Sequence, residues 1–150
     1  MTGQTENSMR SGSSRSRGAY GEQLAAACLK REGYEVLRRN YRCCFGEIDL
    51  IALEADVLCF VEVKLRSGLD FGLPSEAVDH RKQARILRTA EHWLSEQYAA
   101  SAQLPHIRFD VLELLEERSV GGTVRYRKYR LLRDAFSRNE NNEGIRKRFP

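Results

Sequence analysis

The sequence lacks any apolar run approaching the ~20 residues that a helix needs to cross a bilayer. Its first 18 residues are rich in Ser, Gly and Arg and contain no apolar stretch, so they lack the core of a secretory signal. These two absences argue against membrane insertion and against export. We therefore expect a cytoplasmic protein with no membrane partner.

The sequence also lacks cysteines at the spacing of a metal site. The sequence has four cysteines but no Cys-x-x-Cys spacing and no histidine at ligand distance from them, and the adjacent Cys43 and Cys44 form a poor chelate. This spacing disfavours both a zinc site and a disulfide framework. Free thiols in a reducing compartment are the better interpretation for all four: Cys28, Cys43, Cys44 and Cys59.

The central part of the chain has no excess of positive or negative charge. The formal net charge is +4, but residues 1–18 hold three Arg against one Glu, and residues 133–150 hold five basic against three acidic residues. Residues 19–132 carry 17 basic and 17 acidic side chains. Net charge therefore does not predict a polyanionic partner, and only local clusters of basic residues can do so.

The 150 residues are enough for one domain with a hydrophobic core. We expect a flexible tail over residues 1–18, a folded domain over residues 19–132 and a flexible basic tail over residues 133–150, because both ends are polar and of low complexity.

Hydrophobic periodicity predicts two helices and five strands. The helices are expected over residues 21–31 and 75–100, the second capped by Ser75 and buried along one side through Val78, Leu87, Ala90, Leu94 and Tyr98. The strands are expected over residues 35–41, 46–53, 57–66, 107–115 and 124–132, the last at a sheet edge. The order α-β-β-β-α-β-β predicts a mixed α/β fold with a central sheet flanked by helices.

The strand over residues 57–66 carries the most informative pattern. Its odd-numbered positions are apolar or Cys and form a core face. The opposite face begins apolar and ends with Glu62, Lys64 and Arg66. Three charged side chains on so hydrophobic a strand are costly unless they are paired or used.

The preceding strand adds a second carboxylate. If the connecting turn is centred near Ala55, Asp49 lies within one residue of Glu62, although a slip or bulge decides whether the two share a face. Two carboxylates and the Val63 carbonyl offer hard oxygen ligands for Mg²⁺, or Mn²⁺. Lys64 beside them can hold or activate a water and offset charge on phosphorus. Together these groups suit phosphodiester hydrolysis.

The same residues also have a structural interpretation, in which Asp49, Glu62 and Lys64 form a buried ion network. A further acid, Glu22, lies in the first turn of the first predicted helix, at the margin of its buried stripe. It can reach the end of the sheet as a fourth ligand. Its alternative role is that of a carboxylate favoured by the helix dipole.

Basic residues cluster on the second predicted helix. Arg81, Arg85 and Arg88 share a face through i, i+4, i+7 spacing, and Lys82 lies beside them. Such a stripe can contact a phosphate backbone, although a solvated helix face has the same appearance. Four further arginines add to this surface: Arg38, Arg39, Arg42 and Arg66.

Several segments together resemble a known family. The segments GAYGEQLAAACLKREGYEVLRRNYRCCFGEIDLIAL, VLCFVEVKLRS, FGLPSEAVDHRKQARI and RFDVLEL, in this order between Gly18 and Leu115, resemble the bacterial UPF0102 (YraN-type) family. The resemblance implies a restriction-endonuclease-like PD-(D/E)XK fold, similar to archaeal Holliday junction resolvases. It matches Glu22 to the acid of the first helix, Asp49 to the motif's Asp, and Glu62 and Lys64 to its ExK, with Ile48 in place of Pro.

We therefore expect an Mg²⁺-dependent DNA endonuclease in which Asp49, Glu62 and Val63 bind the metal, Lys64 positions water and Glu22 assists. By resemblance alone, branched or junction DNA is the substrate and a homodimer the acting form. A non-catalytic nucleic-acid-binding or adaptor protein that retains the fold is the alternative. A structural ion-paired core is a third. The expected nucleic-acid contacts are Arg42, Arg66, Arg81, Lys82 and Arg85.

Overall fold

The computed structural model describes residues 14–67 and 78–137, which form one five-stranded sheet with a helix packed on each face. The elements follow the predicted order. They are α1 (Ser14–Arg31), β1 (Tyr34–Cys43), β2 (Gly46–Glu54), β3 (Val57–Ser67), α2 (His80–Gln97), β4 (His106–Arg118) and β5 (Val124–Phe136).

The strands lie in sequence order, β1-β2-β3-β4-β5. Neighbouring strands are antiparallel except β3 and β4, which are parallel and joined by the crossover through α2. A parallel pair needs such a crossover because a tight turn cannot return the chain to the same end of the sheet. The predicted mixed sheet flanked by helices is confirmed, and β5 lies at an edge as expected.

Both faces of β3 are buried, each against a different helix. Leu58 and Phe60 pack in the core beneath α2, with Trp93 and Leu94 of that helix. Cys59 and Val61 face the other way and pack in the core that includes residues of α1. The strand is therefore hydrophobic on both sides where it passes between the helices, and its charged residues follow only towards its C-terminal end.

The observed helix limits differ from the prediction. Helix α1 begins at Ser14, inside the segment expected to be flexible, and continues through Gly21. A Cβ at Gly21 would lie 2.9 Å from a Leu65 methyl carbon, so this glycine permits close packing of α1 on β3 rather than starting the helix.

Helix α2 begins at His80 and is capped by Asp79, whose side chain accepts a hydrogen bond of 2.9 Å from the Lys82 backbone N–H. The helix therefore begins five residues after the predicted start, and its N-cap is Asp79 rather than Ser75. Ser75 lies outside the described residues. The predicted buried side is confirmed at Leu87, Ala90 and Leu94, whereas Val78 is buried but precedes the helix and Tyr98, which follows its last residue, is half-buried.

The predicted tails are described only in part, because residues 1–13 and 138–150 lie outside the described residues. All four cysteines are free thiols, and Cys28 and Cys59 are buried. In the described part of the chain, no helix is both long and apolar enough to cross a membrane.

Candidate metal centre

The sheet forks between β2 and β3. The ladder between these strands runs from the Glu54–Val57 pair to the Leu50–Val61 pair and ends there. Beyond that point β2 stays paired with β1 as far as Gly46, whereas β3 stays paired with β4 as far as Ser67. A fork leaves backbone groups and side chains of both strands available at one place.

Asp49 and Glu62 are the first residues past this ladder, one on each strand. Continuing the observed register places them opposite each other, which resolves the slip that the sequence left open. The Asp49 carboxylate accepts a hydrogen bond of 2.8 Å from the Val63 backbone N–H, so it spans the fork. Glu62 is buried, with 6 % of its surface exposed.

The surroundings of Asp49 disfavour its ionised form. Burial and the neighbouring Glu62 raise the pKa of Asp49 from 3.8 to about 7, and the Val63 N–H and Lys82 offset this only in part. Near neutral pH the pair therefore holds a proton that an exposed aspartate would release. A divalent cation between the carboxylates would take the place of that proton.

The charge opposite Glu62 comes from α2. Lys82 lies in the first turn of that helix, and its Nζ forms an ion pair with Glu62 Oε1. Lys82 was expected to contact nucleic acid, and its ion pair with Glu62 was not predicted. A signal was available, because Lys82 is four residues from both Val78 and Ile86 and so lies along the buried stripe of the helix.

Helix α2 packs close to the first residue of β2 because that residue, Gly46, has no side chain. Gly46 starts β2 with a φ of 147°, and a Cβ at this position would lie 3.3 Å from Thr89 Oγ1 of α2. The close approach brings the N-terminal half of the helix over the ends of the two diverging strands. Lys82 can therefore reach Glu62.

Lys64 is the next residue along the same face of β3 and is half-buried. Its charge reaches the cap of α2, since the pKa of Asp79 is lowered mainly by the Lys82 N–H and to a smaller extent by Arg85 and Lys64. Lys64 therefore lies between the acid pair and the start of α2. Among the described residues no ion pair engages it.

Glu22 approaches the fork from the other side. Its Oε2 accepts a hydrogen bond of 2.9 Å from Asn40 Nδ2, and Asn40 occupies the β1 position opposite Asp49. Glu22 does not complete a three-acid cluster: within residues 14–67 and 78–137, no three His, Cys, Asp or Glu side chains could hold a metal ion together. The structure therefore brings the carboxylates of Asp49 and Glu62 side by side and places Glu22, the expected fourth ligand, one hydrogen-bonded residue away through Asn40.

The predicted nucleic-acid contacts are dispersed. Arg81 and Arg85 are exposed on α2. Arg42 is exposed and forms an ion pair of 3.0 Å with Glu47 on β2. Arg66 instead bonds the buried Glu113 at 2.9 Å.

Glu113 belongs to a buried cluster that the sequence analysis missed. Besides Arg66, Arg130 donates to its carboxylate. Burial acts to raise the pKa of Glu113, but the hydrogen bonds from Arg130 and Arg66 outweigh it and hold the pKa below its usual value. The register of β3 and β4 places Lys64 beside Glu113. The buried cluster around Glu113 therefore adjoins the fork on the same face of the sheet.

The donor set at the fork fits a hard divalent cation. Asp49 and Glu62 supply carboxylate oxygens with one ammonium between them, which leaves negative charge uncompensated once Asp49 ionises. The N–H and C=O of a strand residue point to the same side, so the Val63 carbonyl faces the gap that Asp49 spans. These oxygens are of the type that Mg²⁺ and Mn²⁺ prefer.

The part of the chain that contains the fork is also the part that known proteins share. The profile of the uncharacterised protein family UPF0102 matches residues 21–114, which include both strands of the fork and α2. A UPF0102 protein of Caldicellulosiruptor bescii is 44 % identical over 119 residues, covering 79 % of this chain and 95 % of its own. One of Nocardia farcinica is 50 % identical over 106 residues, covering 71 % and 81 %. The chain therefore belongs to the uncharacterised protein family UPF0102.

Proposed function

We propose that the fork is the active site of an Mg²⁺-dependent DNA endonuclease of the PD-(D/E)XK type. The observation that carries this proposal is the contact between the half-buried carboxylate of Asp49 and the buried carboxylate of Glu62, with the Lys82 ammonium paired to Glu62 and acting on Asp49 through its charge. Retaining Asp49 at this position is costly for a purely structural core, because burial and the neighbouring Glu62 disfavour the ionised form of Asp49.

Three groups would hold the metal: the carboxylates of Asp49 and Glu62 and the carbonyl of Val63. When bound, Mg²⁺ supplies Lewis acidity towards a phosphate oxygen and lowers the pKa of a water. Lys64 projects on the same face as Glu62, where its ammonium can orient that water and offset charge on the phosphate. Glu22 would act on the site through Asn40, which adjoins Asp49.

The charge around the fork supports a nucleic-acid substrate. Arg81 and Arg85 are exposed, one turn apart, on the helix that carries Lys82. Their spacing suits contact with successive phosphates of a backbone. The resemblance to junction resolvases selects branched DNA as the first substrate to test.

The test is cleavage of a labelled four-way junction, and of its component duplex, by the wild type and by Asp49→Asn and Lys64→Met. Mg²⁺ is supplied in one series and EDTA in the other. Lys30→Met is the matched control, because Lys30 is exposed in the last turn of α1. We expect cleavage only with Mg²⁺, a loss of about 100-fold or more in both site variants, and no change in the control.

Two results would contradict the proposal. Cleavage that persists in both pure, folded site variants would place the activity elsewhere. DNA binding that depends on salt but is unaffected by Mg²⁺ and by Lys64→Met, with no cleavage of any substrate, would favour the non-catalytic binding protein.

A further inference from the structure

Lys82 supplies a positive charge at the proposed metal site. Its ammonium contacts an oxygen of Glu62, and its charge also lowers the pKa of Asp49, so it acts on both proposed ligands. A positive charge so placed repels a second cation. The metal-free fork therefore already contains a cationic partner supplied by the chain itself.

Lys82 is also able to leave. Its side chain is 37 % exposed, whereas Glu62 is 6 % exposed, so the lysine reaches the buried acid from a solvent-accessible position. Its backbone N–H is bonded to the Asp79 cap, which keeps the helix start in place whatever the side chain does. A lysine side chain has four rotatable carbon–carbon bonds and can move without unpacking the helix.

We propose that Lys82 is a built-in counter-ion, which neutralises Glu62 in the metal-free protein and is displaced when a divalent cation binds between Asp49 and Glu62. This inference rests on the proposed metal site and deepens it. Lys82 would be a positioning residue that sets the affinity of the site for metal. Its ammonium, once released, would lie beside the exposed Arg81 and Arg85, the side from which we expect phosphates to approach.

The test is calorimetric titration of Mn²⁺ into the full chain of the wild type, Lys82→Met and Arg88→Met. Arg88 is exposed on α2 and provides the control for loss of a positive charge from that helix. We expect Lys82→Met to bind Mn²⁺ about tenfold more tightly, the size of effect for removing one partly solvated charge beside a divalent ion. The control should stay within about twofold of the wild type.

A second readout uses no binding heat. Lys82→Met should lower the unfolding temperature of the metal-free protein, because buried Glu62 loses its partner. Mn²⁺ should then raise that temperature by more than it does in the wild type. A structural lysine with no link to the metal would give the first effect without the second.

The outcomes separate this inference from the proposed function. Equal Mn²⁺ affinity in the wild type and Lys82→Met would overturn the displacement of Lys82 and leave the metal site standing. No binding by any folded variant would overturn both. If Lys82→Met fails to fold, lysine ¹³Cε signals of the wild type decide: displacement requires the Lys82 signal to shift on Mg²⁺ addition, and a constant signal would contradict it.

Discussion

The two ends of β2 hold acids in contrasting surroundings. Asp49, near the N-terminal end, shares one lysine with a second buried carboxylate. Glu54, at the C-terminal end, bonds both Arg108 and Arg133. The hydrogen bond from Arg133 is the main cause of the lowered pKa of Glu54, whereas the pKa of Asp49 is raised to about 7.

The Glu54 end is a balanced network that spans the sheet. Asp110, fully buried on β4, accepts hydrogen bonds of 2.8 Å from Arg108, 2.9 Å from the Tyr34 hydroxyl and 2.9 Å from the Asp134 N–H. The hydrogen bond from Arg108 to Asp110 is also the main cause of the raised pKa of Arg108. Two carboxylates here face two guanidinium groups with nearly all their lone pairs used.

The difference lies in the partners of the carboxylates rather than in their burial. At the Glu54 end arginines bond both Glu54 and Asp110, whereas at the fork Lys82 pairs with Glu62 and no ion pair among the described residues engages Asp49, which adds a negative charge once it ionises. A balanced network contributes to the fold, whereas an excess of negative charge has a use only if a cation joins it. The Glu54 end is therefore the internal reference against which the fork can be tested.

The largest change in the free energy of unfolding is expected at the Glu54 end of β2. Arg108→Met would leave Asp110 buried without its main partner, so we expect the free energy of unfolding to fall by about 3–5 kcal/mol. Urea denaturation measures this loss. Arg118→Met is the matched control on the same strand, since the Arg118 side chain is 64 % exposed, and should cost less than about 1 kcal/mol. A comparable loss in both variants would mean that the network gives no special stability.

Asp49→Asn should raise the free energy of unfolding of the metal-free protein, whereas Arg108→Met should lower it. Because folding raises the pKa of this carboxyl, its charge costs nothing below about pH 4, and the cost grows as the pH rises towards about 7. Asparagine removes that cost, so the metal-free variant should be more stable than the wild type by about 2–4 kcal/mol at pH 8 and nearly equal at pH 4. Urea denaturation across this range measures the difference.

Asp56→Asn controls for the charge change, because Asp56 is exposed in the β2–β3 turn, and it should alter stability little at any pH. A loss of stability in Asp49→Asn at pH 8 would show instead that the Asp49 carboxylate is needed to hold the fork together.

The smallest effect is expected for Glu62→Gln. The substitution frees Lys82 to reach solvent and removes the repulsion of Asp49, so gains and losses nearly cancel and stability should change by less than about 1 kcal/mol. Glu113→Gln, measured alongside, should cost about 3 kcal/mol, since two arginines lose a buried charged partner. Equal losses in the two variants would support the structural ion-paired core over a metal site.

Local pattern was enough to predict much of this molecule. The alternation along β3 identified its two faces, and the short turn beside Ala55 limited Asp49 to within a residue of Glu62. In an antiparallel hairpin the turn fixes the register, so the pairing could be counted along the chain. The observed pairing of Leu50 with Val61 is shifted by one residue from a turn centred on Ala55, which is the margin that the sequence left open.

Contacts that depend on the parallel β3–β4 pair could not be predicted in this way. The register that places Lys64 beside Glu113 is set by the path of α2 and by packing, with no turn to count from. The same holds for Tyr34, whose hydroxyl bonds Asp110, 76 residues away. The ion pair of Lys82 with Glu62 was missed for a related reason: its partner lies on another element, whereas the stripe of arginines beside Lys82 is visible in the sequence.

The most direct test of the central claim is calorimetric titration of Mg²⁺ into the wild type and Asp49→Asn at pH 8, where Asp49 is ionised. The titration is repeated with a short DNA duplex present. The claim that the fork is a metal centre predicts binding by the wild type and affinity at least about tenfold weaker in the variant. Absence of binding by the folded wild type under both conditions, or equal binding by the variant, would contradict it.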